Sequence, residues 1–155
     1  MVNIKIYSID KKGKNSLYAP LIEHFIKISK PFAKIEVVDI FSNSISKAQD
    51  VSPIKAQESY SKELRGFLDR GFSVALDKDG LELSSEEFAK KVLENRQDVS
   101  FFIGGAFGFE KNFINSCNLS VSFGKITLSH KLAKVVLLEQ IFRGLSIINN
   151  HPYHK

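Results

Sequence analysis

The chain has 155 residues, 43% hydrophobic and 25% charged, values that exclude a disordered chain and suit one domain, 1–155, able to bury roughly two-thirds of its unfolded surface. Its net charge of +5 favours an anionic partner only slightly, and its single cysteine, Cys117, excludes an intrachain disulfide and a cysteine-based zinc cluster. The amino terminus lacks the basic and continuous apolar regions of a signal peptide, and no apolar run approaches the roughly eighteen residues of a membrane span, so a cytoplasmic protein with no membrane partner is expected.

Val2, Ile4 and Ile6 alternate with Asn3, Lys5 and Tyr7, the period of a first strand. A turn containing the basic run Lys11, Lys12 and Lys14 ends it, read as either a solvated turn or a phosphate contact. Leu17, Leu21, Phe25 and Ile28 recur at helical spacing in "SLYAPLIEHFIKIS", with Pro20 in the first turn. "AKIEVVDI" is a second strand, and after a polar stretch "SPIKAQESYSKELRGFLDR" reads as a second helix, opened by Pro53 and closed before Gly71.

"FSVALD" is a short third strand, and Ser84 with Glu87 stands in capping-box register before a third helix. "VSFFIGG" is an uninterrupted apolar run ended by glycines, the pattern of a strand buried on both faces. The alternation predicts an α/β fold, a mainly parallel sheet flanked by helices. Leu119 to Leu128 reads as extended and glycine-broken, and Lys131 to Ile148 as a last helix with Ser129 as its N-cap. Glu139 and Arg143 form an i,i+4 pair on it. Its apolar arc is wider than one sheet face needs, which implies a second partner such as another subunit.

Three stretches have the composition of functional loops. "IGGAFGFE" places Gly104, Gly105 and Gly108 after a buried strand, where open α/β sheets bind ligands; its spacing matches no dinucleotide or phosphate-loop fingerprint, so turn and cofactor loop stay open. "FGKITLSH" precedes the last helix and ends in His130, readable as a partly buried histidine bonding its neighbours or as a substrate contact. The terminus "NNHPYHK" holds His151, Tyr153, His154 and Lys155. Pro152 between the histidines and the lack of nearby carboxylates argue against a metal, whereas Tyr153 suits base stacking and Lys155 a phosphate.

Together, "FFIGGAFGF", "ITLSHKLAKVVLLEQIFRGLSI" and "NNHPYHK" closely resemble the RlmH family, small SPOUT-class methyltransferases that act on N3 of a pseudouridine in large-subunit ribosomal RNA. The resemblance implies a C-terminal trefoil knot (the SPOUT α/β-knot fold), S-adenosyl-L-methionine as methyl donor with no metal, and a homodimer in which one subunit's tail approaches the other's donor site. By position it implies donor contacts at Leu76, Gly104, Gly105, Phe123, Gly124, Lys125, Ile126, Thr127 and Leu128, and RNA contacts at His130, His151 and Lys155. Ala106 and Phe107 replace the family's Pro and Glu, with Glu110 nearby as a substitute carboxylate; Ser129 and Lys131 replace prolines, and Lys134 an arginine.

The N3 of pseudouridine carries an imide proton and is a poor nucleophile until that proton is lost or shared. The expected catalytic set is therefore Arg143, stabilising the imidate, and His154 or Tyr153, accepting the proton or orienting the base. Two other readings are an RNA-binding module without catalysis and an oxidoreductase using the glycine loop for NAD or a flavin. Against the second stand the glycine spacing and the lack of an acidic residue placed for a ribose.

Overall fold

β1 (Val2–Ile9) pairs in parallel with β2 (Ala33–Ile40) on one side and β4 (Asp98–Ile103) on the other. β3 (Phe72–Glu82) and β5 (Leu119–Ser122) complete an all-parallel sheet of order β2-β1-β4-β3-β5. These elements come from a computed structural model that describes residues 1–12 and 16–155; Lys14 of the basic run lies outside the described residues.

The register explains the two cores. Val37, Ile6, Phe101, Val74 and Leu119 form one rung, and all face the first core. One residue on, Val38, Tyr7, Phe102 and Ala75 face the second. Because β1 lies inside the sheet, Tyr7 and Ile9 are as buried as Ile4 and Ile6; alternation alone reads as a half-exposed strand.

Over the first core lie α1 (Ala19–Ser29), α4 (Ser85–Phe88) with the π turn Ala89–Leu93, and α6 (His130–Ile148). The second core is covered by α2 (Asn43–Val51), α3 (Pro53–Leu64) and α5 (Lys111–Ser116). The capping box is present in full: Ser84 Oγ accepts from Glu87 N–H, and Glu87 accepts from Ser84 N–H.

Several boundaries differ from the sequence expectations. The buried stripe of α1 is Ile22, Phe25 and Ile26, whereas Leu17 precedes the helix at 91% exposure and Leu21 is also exposed. α2 forms from the polar stretch because Ser42 caps it and Ile45 alone is fully buried. The second predicted helix stops at Leu64 and passes into a 3-10 turn, Arg65–Phe67. β3 outlasts its apolar run: after a bulge, Leu81 and Glu82 rejoin Val121 and Ser122. Gly80 permits this, since a Cβ there would lie 2.7 Å from Val121 N.

The wide apolar arc of α6 is largely taken up inside the chain, by α1, by α4 and the π turn, and by the tail. Its width therefore does not by itself require a second subunit. β5 leaves the sheet at an edge beside β3, yet α6 begins against Asp10 beyond β1, so the segment 123–129 crosses back over the carboxyl ends of the strands.

Candidate active site

Beyond β4 the chain turns at Gly104–Gly108, where Gly108 N–H donates to Gly105 C=O. A Cβ on Gly105 would sit 2.5 Å from the Tyr60 hydroxyl oxygen; only glycine lets this turn lie on α3. Gln57 Nε2 donates to Phe107 C=O at 2.8 Å, fastening the turn from the same helix. Ala106 and Phe107 are exposed, so this loop offers no carboxylate, and Glu110 begins α5 without a side-chain cap bond.

The second loop is braced at both ends. Ser122 Oγ donates to Gly124 C=O and accepts from Gly124 N–H, and Gly124 has a φ of +108°, open to glycine. Ser129 Oγ accepts from Leu132 N–H and starts α6. Among the described residues, the backbone N–H groups of Lys125, Ile126, Thr127 and Leu128 donate to no protein acceptor, and Ile126 is 80% exposed. Unspent donors in sequence form a ready ligand cradle.

The sequence-predicted donor residues do not all meet in one cavity. Phe123 and Gly124 line a cleft of about 440 Å³ with Ser85, Phe88, Val136 and Gln140. Gly105 and His130 line a second, of about 920 Å³, across the ends of β1 and β2. Leu76 pairs with Val121 and packs against the first core.

The tail is folded onto its own chain. His151 N–H donates to Ser146 C=O, and its ring packs edge-on against Phe32 and Phe142. Tyr153 packs on Phe142, lies under the Arg143 guanidinium, and donates its hydroxyl hydrogen to Glu139 at 3.0 Å. Arg143 donates twice to the same Glu139 oxygen. It also reaches His154 Nδ1 at 3.2 Å, while His154 Nε2 lies 2.8 Å from Glu86. Arginine can only donate, so Nδ1 accepts and Nε2 carries the hydrogen given to Glu86. Lys155 is exposed and has no ion-pair partner among the described residues.

These partners bear on the expected catalytic roles. Burial, then the Glu139 hydrogen bond, pushes the Tyr153 phenol above its ordinary pKa, so it stays protonated at neutral pH. His154 has both nitrogens engaged, and its hydrogen bond holds Glu86 below the usual carboxylate range. The network joins the 440 Å³ cleft through Gln140, which donates to Glu139 and accepts from Ser85. Sequence reading does not single out Glu86, Ser85 or Gln140; Glu86, beside the capping box, carries no signal beyond that of a solvated helix start.

A second polar cluster fixes the start of α6. Asp10, 5% exposed, accepts from Lys131 at 2.9 and 3.0 Å and from Lys134 at 3.0 Å, with His130 Nε2 at 3.2 Å. Lys134, 2% exposed, also donates to Asp39 at 2.6 Å. Burial alone would raise the Asp10 carboxyl, but the Lys131 and Lys134 hydrogen bonds and the nearby positive charge outweigh it and leave the pKa lowered. His130 is bonded to Asp10, and its side chain also lines the cleft over the ends of β1 and β2.

Among the described residues no cluster of three or more His, Cys, Asp and Glu is placed to hold a metal ion, and no helix is long and apolar enough to cross a membrane.

A family model described as "Predicted SPOUT methyltransferase" matches residues 2–154. The protein named Ribosomal RNA large subunit methyltransferase H of a Sulfurovum species is 61% identical over 154 residues, covering 99% of this chain and 100% of the relative. Its namesakes in a Nitratiruptor species and in Campylobacter lari are 48% and 42% identical, over 100% and 99% of this chain and 100% of each relative. A solved structure described as a probable methylase family protein from Haemophilus influenzae Rd KW20 shares the fold, with a TM-score of 0.58 at 13% identity, covering 99% of this chain and 71% of that one. The parallel sheet, the crossing of 123–129 and the full-length match agree: this chain is a methyltransferase of the SPOUT family, with the α/β fold that carries the family's C-terminal knot.

Proposed function

We propose that this protein transfers a methyl group from S-adenosyl-L-methionine to N3 of a pseudouridine in large-subunit ribosomal RNA, acting on assembled ribosomes in the cytoplasm as a homodimer of single-domain subunits. The observation that carries the reading is the loop 123–128: four successive amides with no acceptor among the described residues, braced at both ends, beside a cleft of about 440 Å³. That volume lies in the range of small-molecule sites. Its lining pairs apolar Phe88, Val121 and Val136 with hydrogen-bonding Ser85 and Gln140, which suits a molecule with a flat base and ribose hydroxyls.

When bound, the donor supplies an electrophilic methyl on a sulfonium. The backbone of 123–128 would hold it, with Gly104 and Gly105 giving close backbone approach from the neighbouring loop. The chain's remaining task is to align the base and help its imide proton leave. Arg143 suits stabilisation of the imidate, and its turning from His154 Nδ1, 3.2 Å away in this chain, to the base would free that ring nitrogen's lone pair to take the proton. In a dimer, the tail would exchange its contacts on α6 for the partner's pocket; exposed Ile126 and Leu132 are apolar surface such a subunit would cover.

The test is methyl transfer from labelled donor to ribosomes of a strain lacking the protein, with the modified nucleotide mapped. A single labelled pseudouridine in the large subunit is the expected result; no incorporation by the folded protein overturns the proposal. In a thermal-shift comparison, stabilisation by S-adenosylhomocysteine and not by NAD or FMN is expected.

A further inference from the structure

The cleft over the ends of β1 and β2 has none of the residues 123–128 in its lining, and its volume of about 920 Å³ is about twice that of the cleft beside that loop. Tyr18 and Phe41 bring aromatic surface to it, Gln49 an amide, and Gly105 the backbone of the glycine turn. Lys11 lies 5.1 Å from the Phe41 ring centroid and Lys131 reaches in from α6. Lys11 and Phe41 are shared with the lining of a neighbouring groove of about 550 Å³ that adds Lys12, Ser42 and Phe67. Aromatic faces and ammonium groups therefore recur along a track longer than one small molecule needs.

The charges say how such a track would bind. Asp10 and Asp39 line it but are already matched by Lys131, Lys134 and His130. Asp50 and Glu63 also line the two clefts, together with Lys11 and Lys12. Because carboxylates line the clefts beside the ammonium groups among the described residues, phosphate attraction is not the main source of affinity, and aromatic stacking is. An unstacked nucleotide offers a π face and base-edge hydrogen bonds, and the neighbouring groove favours a strand over a free nucleotide.

We propose that this groove holds single-stranded nucleotides of the RNA substrate, one base stacked on Tyr18 or Phe41 next to the Gly105 turn. The inference deepens the proposed function and rests on it for the identity of the RNA.

The experiment measures binding of a fluorescein-labelled uridine-rich RNA decamer at two salt concentrations, and KM and kcat on ribosomes, for the full-length protein. Variants are Tyr18→Ala, Tyr18→Phe and Phe41→Leu, the last keeping apolar volume beneath the groove while removing the ring. Stacking of this kind corresponds to a loss of about 5- to 150-fold per base. Tyr18→Ala and Phe41→Leu should weaken decamer binding by about tenfold at both salts and raise KM, and Tyr18→Phe should match the parent. Stabilisation by S-adenosylhomocysteine should be unchanged in all three. If the parent methylates ribosomes and both ring-removing variants keep its KM and decamer affinity, the groove assignment is overturned and the proposed function stands. If the parent transfers no methyl but binds the decamer in a ring-dependent way, the proposed function fails and the groove survives. A parent that does not bind the decamer refutes the groove.

Discussion

Replacing Asp10 by Asn keeps volume and removes charge where ion pairs tie the end of β1 to the start of α6. Removing one member of a buried ion pair costs about 3–5 kcal/mol, because the partner's charge is left without compensation. Here the loss is tempered: Lys134 keeps Asp39 at 2.6 Å, and Lys131, with a side chain 37% exposed, regains water. The expected destabilisation is about 2–3 kcal/mol, a fall in Tm of about 4–12 °C for a domain of this size. The folded-state pKa of Asp10 is lowered, so its contribution is fully present above the unfolded-state value, near ~3.9. It is lost as pH falls through the folded-state value. Urea unfolding followed by circular dichroism from pH 7 to pH 3 should therefore show a constant gap between parent and variant down to about pH 4 that narrows below it. A gap at pH 7 under about 0.5 kcal/mol, or one that persists unchanged to pH 3, refutes the assignment of Asp10 as the residue that secures α6.

Gly105→Ala would place a methyl 2.5 Å from the Tyr60 hydroxyl oxygen, so the turn must move; stabilisation by S-adenosylhomocysteine should drop by at least half, and an unchanged shift would show the turn to be irrelevant to the donor. Deleting His151 to Lys155 removes Tyr153 and His154 from Glu139, Arg143 and Glu86; methylation should be abolished with helical content kept and donor binding partly retained, and a truncated protein of normal activity would contradict the tail's role. In single turnover at saturating RNA, Tyr153→Phe and His154→Ala should each be slower than the parent, and parental rates in both would end the tail's catalytic assignment. Burial pushes the Cys117 thiol up to about 11, so its alkylation by iodoacetamide at pH 8 should be far slower than that of a free thiol, and a normal rate would show the site to be open.

How much of the molecule is legible in its sequence follows from how local the physical cause is. β4 announces itself as "VSFFI" because both its faces are covered, and Ser84 with Glu87 marks a helix start because a capping box is made by residues three apart. α2 and α5 leave no such mark for the converse reason: each contributes one fully buried side chain, Ile45 or Phe113, too little for a periodicity. The two glycine-containing loops are readable as loops, but their allotment between clefts depends on where α3 and α6 lie across the sheet. Asp10 has no local signal at all, since its partners Lys131 and Lys134 are more than a hundred residues away. The tail is chemically rich on its face, yet its partners Glu86 and Glu139 sit on two different helices.

The arrangement around 123–128 also indicates how a short exposed loop can bind with useful affinity. A loop whose amides face solvent carries no desolvation penalty while empty, since water satisfies them. It becomes an ordering cost on binding only if its ends are loose. Here they are not: the Ser122–Gly124 pair holds one end, the Ser129 cap the other, and the Asp10 cluster fixes the helix that follows. The buried ion cluster thus serves the site without touching it, and the consequence separates two kinds of variant. Asp10→Asn should weaken donor binding through looser ends, in proportion to its effect on stability, and a stabilising osmolyte should recover part of the loss. Gly105→Ala should weaken binding through altered shape, and the osmolyte should leave that loss intact.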